Sequence, residues 1–357
     1  MFSQLTEHDL RQRCQEALRL CEVDVGGDRA ARILRMTHHY KSILAYVVVG
    51  EGIREPTHVI KLAAGAWDPQ REFIGIEYLV RVFSARPAVG PYLLGAVTPV
   101  GYGLDPPFLV TRYQSGQSIR PVFDKAVRGF HRSTSLDNAS DYCGAIARWL
   151  TMFRSAEPRT GAGLSPENYL MFCYERAKEI SQSLNASRHA NIAMACLERY
   201  VENLSAEDRA LMRHAYPTHG DLAPQNFFVD DERVIYALDL ESFNFEPMDT
   251  DLTRFRTRLQ EYACRGPFAR RFAQEIWRAF WDAYTSQNSP TFALLAHLYG
   301  LLAHLAWMRN PRFLAMPGHR GLKFRLRTAL WIRTALRWIE GLRGDWTNDL
   351  EHIRSSL

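Results

Sequence analysis

The chain has 357 residues, of which 46% are hydrophobic and 23% are charged, and its net charge is +5. This length is too great for one small domain and suits one large domain or two lobes. The composition is that of a soluble globular protein, and a charge of +5 argues against a dedicated nucleic-acid binder. The six cysteines include no CxxC pair. We therefore expect reduced thiols in a cytoplasmic protein without a nucleic-acid partner.

The first segment, "LTEHDLRQRCQEALRL", is a charged, capped amphipathic pattern that predicts a helix rather than a signal peptide. The longest apolar run is "TFALLAHLYGLLAHLAWM", and two histidines interrupt it. This run predicts a core helix rather than a membrane span.

Residues 30 to 63 are rich in Val, Ile and Tyr, which predicts three antiparallel strands. The segment "DPQREFIGIEYLVRVFSA" then changes to helical periodicity, and "YLLGAVTPVGYG" and "PPFLVTRY" return to strand character. From about residue 134 the pattern is mostly helical. We expect an α+β protein with a β-rich lobe over residues 1–113 and a helical lobe over residues 114–357.

Short strand-like pieces interrupt the helical half at "THGDLAPQNFFVDDERVIYALDLESF", residues 218 to 243. Asp221 and Asn226 are five residues apart, and Asp239 ends an apolar strand thirteen residues later. Phosphoryl transfer from a nucleotide needs a carboxylate that orients the acceptor hydroxyl, together with oxygen ligands for Mg²⁺. Asp221 suits the first role, and Asn226 and Asp239 suit the second.

A cation must also neutralise the phosphates, and Lys61 at the end of the strand "HVIKL" can supply it. A buried lysine needs a carboxylate partner, and the next helix offers Glu72 and Glu77. Glu72 lies in the first helical turn, where an acidic residue often serves only the helix dipole. Glu77 precedes the apolar face, so we expect Glu77 to hold Lys61.

These motifs together resemble the aminoglycoside phosphotransferase/choline kinase family, whose members are relatives of protein kinases. The family's "HGDxxxxN" corresponds here to "HGDLAPQN", its "IDxE" to "LDLE", and its "DLA"-like element to "DLT" at Asp251. "VIKLA" and Glu77 are similar to its nucleotide-clamping pair, and "PPFLVTRYQSGQSI" to its hinge. The resemblance covers about residues 30 to 260 and implies a two-lobed protein-kinase-like fold with a small antiparallel-sheet lobe and a larger helical lobe.

The resemblance also implies further site residues. Thr111 and Tyr113 lie in the hinge-like segment and are expected to contact the nucleotide. A glycine-rich loop that would cover the phosphates is absent; the turn reads "MTHHYKS", where backbone amides and the Ser42 or Thr37 hydroxyl can serve instead, as side chains often do in this family. His219 and Asp251 are expected to be structural. Three alternatives stay open for the Glu241 side chain: it helps to bind the metal, it contacts the acceptor, or it lies in solvent.

We therefore expect a small-molecule kinase that uses Mg²⁺ and transfers the γ-phosphate of ATP or GTP to a hydroxyl group. The acceptor would be a sugar, a sugar derivative, an antibiotic or a lipid headgroup, and the basic chain favours a neutral or anionic one. The alternatives are a nucleotide-binding regulatory module without transfer activity and a kinase that acts on protein.

The C-terminal region carries Arg325, Arg333 and Arg337 at helical spacing, opposite an apolar face that includes Leu326 and Leu330. This pattern favours a surface helix with a solvated basic side. Peripheral contact with an acidic membrane or an anionic acceptor is the other interpretation.

Overall fold

The computed structural model describes residues 6–23, 31–38, 42–50, 52–63, 67–128, 132–265, 267–308 and 318–356. The helices are α1 (Glu7–Leu20), α2 (Pro69–Phe83), α3 (Arg120–Arg128), α4 (Arg132–Ser155), α5 (Pro166–Leu184), α6 (Ser187–Glu202), α7 (Ala206–Met212), α8 (Asp251–Ala263), α9 (Pro267–Thr285), α10 (Pro290–Met308), α11 (Gly318–Glu340) and α12 (Trp346–Ser355). The strands are β1 (Ala31–His38), β2 (Ser42–Val49), β3 (His58–Ala63), β4 (Ala88–Val89), β5 (Tyr92–Gly95), β6 (Pro99–Leu104), β7 (Pro107–Arg112), β8 (Gln117–Ser118), β9 (Arg159–Thr160), β10 (His214–Thr218), β11 (Phe227–Val229), β12 (Val234–Ala237) and β13 (Asn244–Glu246). The fold is α+β, as the sequence predicts.

Contacts divide the chain into two compact units. Unit 1 comprises Met1–Ser118 and Asn226–Phe243, and unit 2 comprises Ile119–Gln225 and Asn244–Leu357. This division differs from the predicted single boundary after residue 113. Strands β11 and β12 pair with β8 and β5, so the segment that follows the "HGD" motif packs with the N-terminal region. Pairing between segments so far apart in sequence cannot be read from local periodicity.

Unit 1 is built on a five-stranded sheet in the order β1-β2-β3-β7-β6, in which every neighbouring pair is antiparallel. The three strands predicted over residues 30 to 63 are thereby confirmed. Helix α1 packs its buried face on one side of this sheet, against Ile43, Ala45, Val47, Ile60 and Leu62. A capping box between Thr6 and Asp9 starts α1. Because side chains alternate along a strand, every second residue of these strands points to the opposite face of the sheet, away from α1.

Helix α2 begins where the sequence predicts it. The Asp68 carboxylate accepts a bond from the Arg71 amide at 3.2 Å, and Pro69 occupies the first turn. The buried residues of α2 include Glu72, Ile76, Leu79 and Phe83, which recur at helical spacing. A second sheet in the order β4-β5-β12-β11-β8 completes unit 1.

Unit 2 is mostly helical and contains a small sheet of the order β13-β10-β9. Its core is aromatic: Trp149 stacks on Phe153, and Phe255 stacks on Phe280. The run predicted as a core helix forms α10, and most of its side chains are buried. Within the described residues, no helix is long and apolar enough to cross a membrane.

The basic C-terminal segment forms α11, which buries Trp331, Ala335 and Trp338 and exposes Arg333 and Arg337. Leu330, predicted on the apolar face, is instead exposed. The side chains of Arg325 and Leu326 lie outside the described part of the chain. The favoured interpretation, a packed helix with an exposed basic side, is consistent with these positions.

Candidate active site

Lys61 is the centre of the polar cluster in unit 1. His58, Ile60 and Leu62 of β3 point into the core under α1, so Lys61 points to the opposite face of the sheet. Its ammonium nitrogen lies 2.7 Å from Glu72 Oε2 and 2.7 Å from Asp239 Oδ1. Burial lowers the pKa of Lys61, but the two carboxylates outweigh this effect and raise it above its usual value. Lys61 is therefore held as a cation.

The carboxylate partner on α2 is Glu72, so the prediction of Glu77 is wrong. Glu72 is 3% exposed, whereas Glu77 is exposed. Residues 72, 76, 79 and 83 share the buried side of α2, and residue 77 lies outside that stripe. The indole nitrogen of Trp67 also donates to Glu72 Oε2 at 2.9 Å, and the Lys61 ammonium lies 5.0 Å from the Trp67 ring centre. Glu72 is thus fixed from two sides.

The two predicted metal ligands lie at the same end of the β11–β12 hairpin. Phe227 pairs with Ala237, and the Leu238 amide donates to the Asn226 carbonyl at 2.8 Å. Asp239 follows directly, with a φ of 63° that non-glycine residues seldom adopt. This backbone conformation is the kind of departure that concentrates at functional sites.

Asn226 and Asp239 fit a magnesium site by their chemistry, because carboxylate and amide oxygens are what this hard ion prefers. The Asp239 side chain is 40% exposed. Among the described residues, no group of three or more His, Cys, Asp or Glu side chains could hold a metal. If Asn226 and Asp239 bind Mg²⁺, they would act together with substrate phosphates and waters, since this ion is usually held by one or two carboxylates and such groups. Glu241 is half-buried two residues further on, and its role stays a prediction.

The predicted nucleotide-side residues share the sheet face of Lys61. Ser42 pairs with Ala63, and Thr111 pairs with Val59, and directly paired residues point to one face. The Tyr113 amide donates to the Thr57 carbonyl, and the Tyr113 ring packs edge-on against the Tyr46 ring. The turn before Ser42 lies partly outside the described residues. Nucleotide contacts by Ser42, Thr111 and Tyr113 stay predictions.

The catalytic-loop motif in unit 2 is anchored by a buried carboxylate. Asp251, at the start of α8, accepts bonds from the backbone amides of His219 at 2.5 Å and Gly220 at 3.0 Å. The His219 side chain is buried, and its Nδ1 lies 3.3 Å from the Asp221 amide. Both residues hold the backbone of the loop, which is the arrangement expected of the structural residues that the sequence predicts.

The side chain of Asp221 bonds to an arginine that the sequence analysis missed. Arg258 Nη2 donates to Asp221 Oδ1 at 2.8 Å, and Arg258 Nη1 donates to Glu261 Oε1 at 3.1 Å. Both side chains of the Arg258–Asp221 pair are partly exposed. One signal could have identified this arginine. Arg254 and Arg258 follow Asp251 at spacings of three and seven, on one face of α8.

A buried ionic network lies just before Asp251. The Tyr284 hydroxyl donates to Asp249 Oδ2 at 2.6 Å, and the fully buried Arg154 guanidinium lies 3.9 Å from the same oxygen. Burial raises the pKa of Asp249 to about 6, although Arg154 acts in the opposite direction. This network supports the start of the helix that anchors the loop.

Comparison with known proteins gives the family. The model of the phosphotransferase enzyme family APH matches residues 45–286. The match spans more than half of the chain, which therefore belongs to this family. No curated protein sequence matches the chain.

Solved structures share the fold at low sequence identity. A choline/ethanolamine kinase family protein from Mesorhizobium loti is 12% identical with a TM-score of 0.54, covering 97% of this chain and 98% of that one. An ethanolamine kinase from Plasmodium vivax is 11% identical with a TM-score of 0.56, covering 92% and 89%. A choline kinase from Cryptosporidium parvum Iowa II is 11% identical with a TM-score of 0.52, covering 92% and 95%. The predicted kinase-like fold is confirmed.

Proposed function

We propose that this protein is a small-molecule kinase that transfers the γ-phosphate of ATP or GTP to a hydroxyl group of a small acceptor. The single observation that carries the proposal is Lys61, which bonds to both Glu72 and Asp239 at 2.7 Å. A lysine that joins a buried helical glutamate to a partly exposed aspartate just after a strand is the arrangement used to position nucleotide phosphates and their metal. Membership of a phosphotransferase family supports this assignment.

Within unit 1, Lys61 would contact the phosphates of the donor nucleotide. Glu72 keeps the ammonium group in place through a direct bond, so little reorganisation is needed on binding. Asn226 and Asp239 would hold Mg²⁺, which neutralises charge on the phosphate oxygens when bound. Ser42, Thr111 and Tyr113 would add contacts from the same sheet face.

Asp221 would act on the acceptor. Its carboxylate would accept a hydrogen bond from the acceptor hydroxyl and take the proton as the oxygen attacks the γ-phosphorus. A bond then forms between the acceptor oxygen and phosphorus, and the bond from phosphorus to the nucleoside diphosphate oxygen breaks. The loop that carries Asp221 is fixed by Asp251, which supports such a positioning role.

In this proposal the acceptor is a small alcohol, and its charge distinguishes the candidate acceptors. The Plasmodium vivax and Cryptosporidium parvum proteins are named for ethanolamine and choline, which are cationic alcohols. The net charge of +5 supports a neutral or anionic acceptor for this chain. A cytoplasmic location and membrane contact through Arg333 and Arg337 remain further predictions.

A defined acceptor panel tests the proposal. Purified protein is incubated with ATP or GTP, with and without Mg²⁺, and with choline, ethanolamine, an aminoglycoside, neutral sugars and sugar phosphates. Mass spectrometry then detects phosphorylated products. We expect a Mg²⁺-dependent product with the wild type and none with Asp221→Asn, while both proteins bind nucleotide equally. Equal product from Asp221→Asn would overturn the role of Asp221.

A further inference from the structure

The pairing of Asp221 with Arg258 assigns a role to a residue outside the predicted site. Arg258 Nη2 lies 2.8 Å from Asp221 Oδ1, and its other terminal nitrogen lies 3.1 Å from Glu261 Oε1. Burial acts to lower the pKa of Arg258, but Asp221 and Glu261 together outweigh it and raise the pKa above its usual value. The guanidinium is therefore a cation fixed at two points, and one of them is the carboxylate proposed to act on the acceptor.

Helix α8 holds both parts of the loop from one face. Asp251 in its first turn accepts the backbone amides of His219 and Gly220, and Arg258 two turns later binds the Asp221 side chain. Arg254 lies between them and donates to Asp251 at 3.2 Å and to Glu246 at 3.1 Å. The helix thus fixes the loop backbone and the Asp221 carboxylate with a single rigid element.

We propose that Arg258 is the positioning residue for Asp221, fixing through Oδ1 the orientation of the carboxylate that receives the acceptor proton. This inference rests on the proposed function. A guanidinium–carboxylate bond is charge-assisted and directional, so it restricts the rotation of the aspartate side chain. It also favours the ionised carboxylate, which is the form that accepts the proton.

Several charged or titratable groups surround this pair in unit 2. They are His219 on the loop, Asp251, Arg254 and Glu261 on α8, Glu246 on β13 and His304 on α10. Burial, Arg254 and Arg258 lower the pKa of His304 to about 3, so His304 is neutral at physiological pH. Arg258 donates directly to the Asp221 carboxylate at 2.8 Å.

The first test does not depend on turnover. The carboxylate of Asp221 is followed by NMR in protein labelled with ¹³C-aspartate, with Asp221→Asn used to assign its signal. In Arg258→Met we expect the titration midpoint of Asp221 to rise by about one pH unit or more, because an adjacent arginine stabilises the ionised form. In Arg258→Lys the midpoint should stay close to the wild-type value. An unchanged midpoint in Arg258→Met would overturn the proposal.

The second test separates positioning from substrate binding. With the best acceptor, Arg258→Met should lower kcat about 10- to 100-fold, as expected for a residue that orients a catalytic group. The KM for nucleotide should stay unchanged, the acid limb of the pH profile should move to higher pH, and Arg258→Lys should recover part of kcat. The control is Arg271→Met, which removes an exposed pair with Glu275 on α9.

The outcomes are distinct. A raised acceptor KM with unchanged kcat in Arg258→Met would make Arg258 an acceptor ligand and overturn the positioning role. A loss of kcat with an unmoved acid limb, or a matching loss of thermal stability in Arg258→Met and Arg258→Lys, would also overturn it. Wild-type protein that transfers no phosphate to any acceptor would contradict the proposed function itself, whatever the NMR titration shows.

Discussion

Lys61 and Glu72 form an ion pair of 2.7 Å in unit 1, between the third strand of the sheet and the first turn of α2. The same ammonium group bonds to Asp239, two residues after β12 and 178 residues further along the chain. The side chain of Lys61 is 13% exposed and that of Glu72 is 5% exposed. These contacts bring one predicted metal ligand and the predicted phosphate contact together within one unit.

The first prediction concerns which glutamate supports Lys61. We expect Glu72→Gln to lower kcat/KM for the nucleotide about 10- to 100-fold, because the orientation of Lys61 depends on the charge of Glu72. Glu77→Gln is the matched control, since Glu77 lies on the same helix and is exposed. Its effect should be within about twofold, as for a surface substitution. Steady-state kinetics on both variants measures kcat/KM for the nucleotide. Equal losses of kcat/KM in the two variants would contradict the assignment of Glu72 as the partner of Lys61.

The second prediction concerns Asp239. We expect Asp239→Asn to raise the Mg²⁺ concentration needed for half-maximal transfer by more than about 100-fold. Loss of a residue that only hydrogen-bonds to a metal ligand typically costs about 10- to 100-fold, and a direct ligand should cost more. Glu241→Gln, two residues later, is the comparison and decides whether Glu241 has a role in the metal site. A Mg²⁺ titration of transfer at fixed nucleotide concentration measures both. An unchanged Mg²⁺ requirement in Asp239→Asn would remove Asp239 from the metal site.

The third prediction concerns the anchor of the catalytic loop. Asp251→Ala leaves the amides of His219 and Gly220 without their buried acceptor, which costs roughly 1–3 kcal/mol for each donor. We expect the free energy of unfolding to fall by about that sum and kcat to fall while nucleotide affinity is kept. The control is Asp282→Asn, whose partly exposed pair with Arg354 contributes about 1 kcal/mol or less. Chemical denaturation of both variants and the wild type measures the free energies of unfolding. Equal stabilities would show that Asp251 does not anchor the loop.

The fourth prediction concerns pH and the buried Asp249. Burial raises its pKa from the ordinary aspartate value of 3.8 to about 6 in the folded protein. Between pH 4 and pH 6 the folded protein therefore keeps a proton that the unfolded chain has released, and this contribution to stability falls as pH rises. At 1.36 kcal/mol per pH unit the change is roughly 3 kcal/mol. It is complete above pH 6.

Asp249→Asn lacks this titration, so the difference in unfolding free energy between the two proteins isolates the contribution of Asp249. The difference, wild type minus variant, should decrease by roughly 3 kcal/mol from pH 4 to pH 7. Urea denaturation at several pH values measures it. Parallel stability curves for the two proteins would contradict the assignment.

The sequence predicted those elements whose signal is local. The strands β1, β2 and β3, helix α2 and the spacing of Asp221, Asn226 and Asp239 follow from alternation, helical period and motif. The prediction failed at Glu77, because the partner of Lys61 depends on how α2 lies on the sheet. Glu72 carried a usable signal, since it is four residues before Ile76 and seven before Leu79, on the buried stripe of the helix.

Two features were beyond local reasoning. The hairpin that carries Asp239 joins unit 1 through the pairing of β12 with β5, and such long-range pairing leaves no periodic trace. Arg258 shares one face of α8 with Asp251 and Arg254, but this spacing does not reveal that Arg258 rather than Arg254 contacts the Asp221 carboxylate. Both cases concern tertiary placement, which propensity does not encode.

The most direct test of the central claim is Mg²⁺-dependent transfer of labelled γ-phosphate from ATP or GTP into a cell extract, which is then separated into aqueous, lipid and protein fractions. The wild type and Asp221→Ala are compared, and nucleotide binding is measured for both. We expect label in the aqueous or lipid fraction with the wild type only, which would identify the class of acceptor. Label in the protein fraction alone, or no label from a protein that binds nucleotide, would contradict a small-molecule kinase and favour a protein kinase or a regulatory module, respectively.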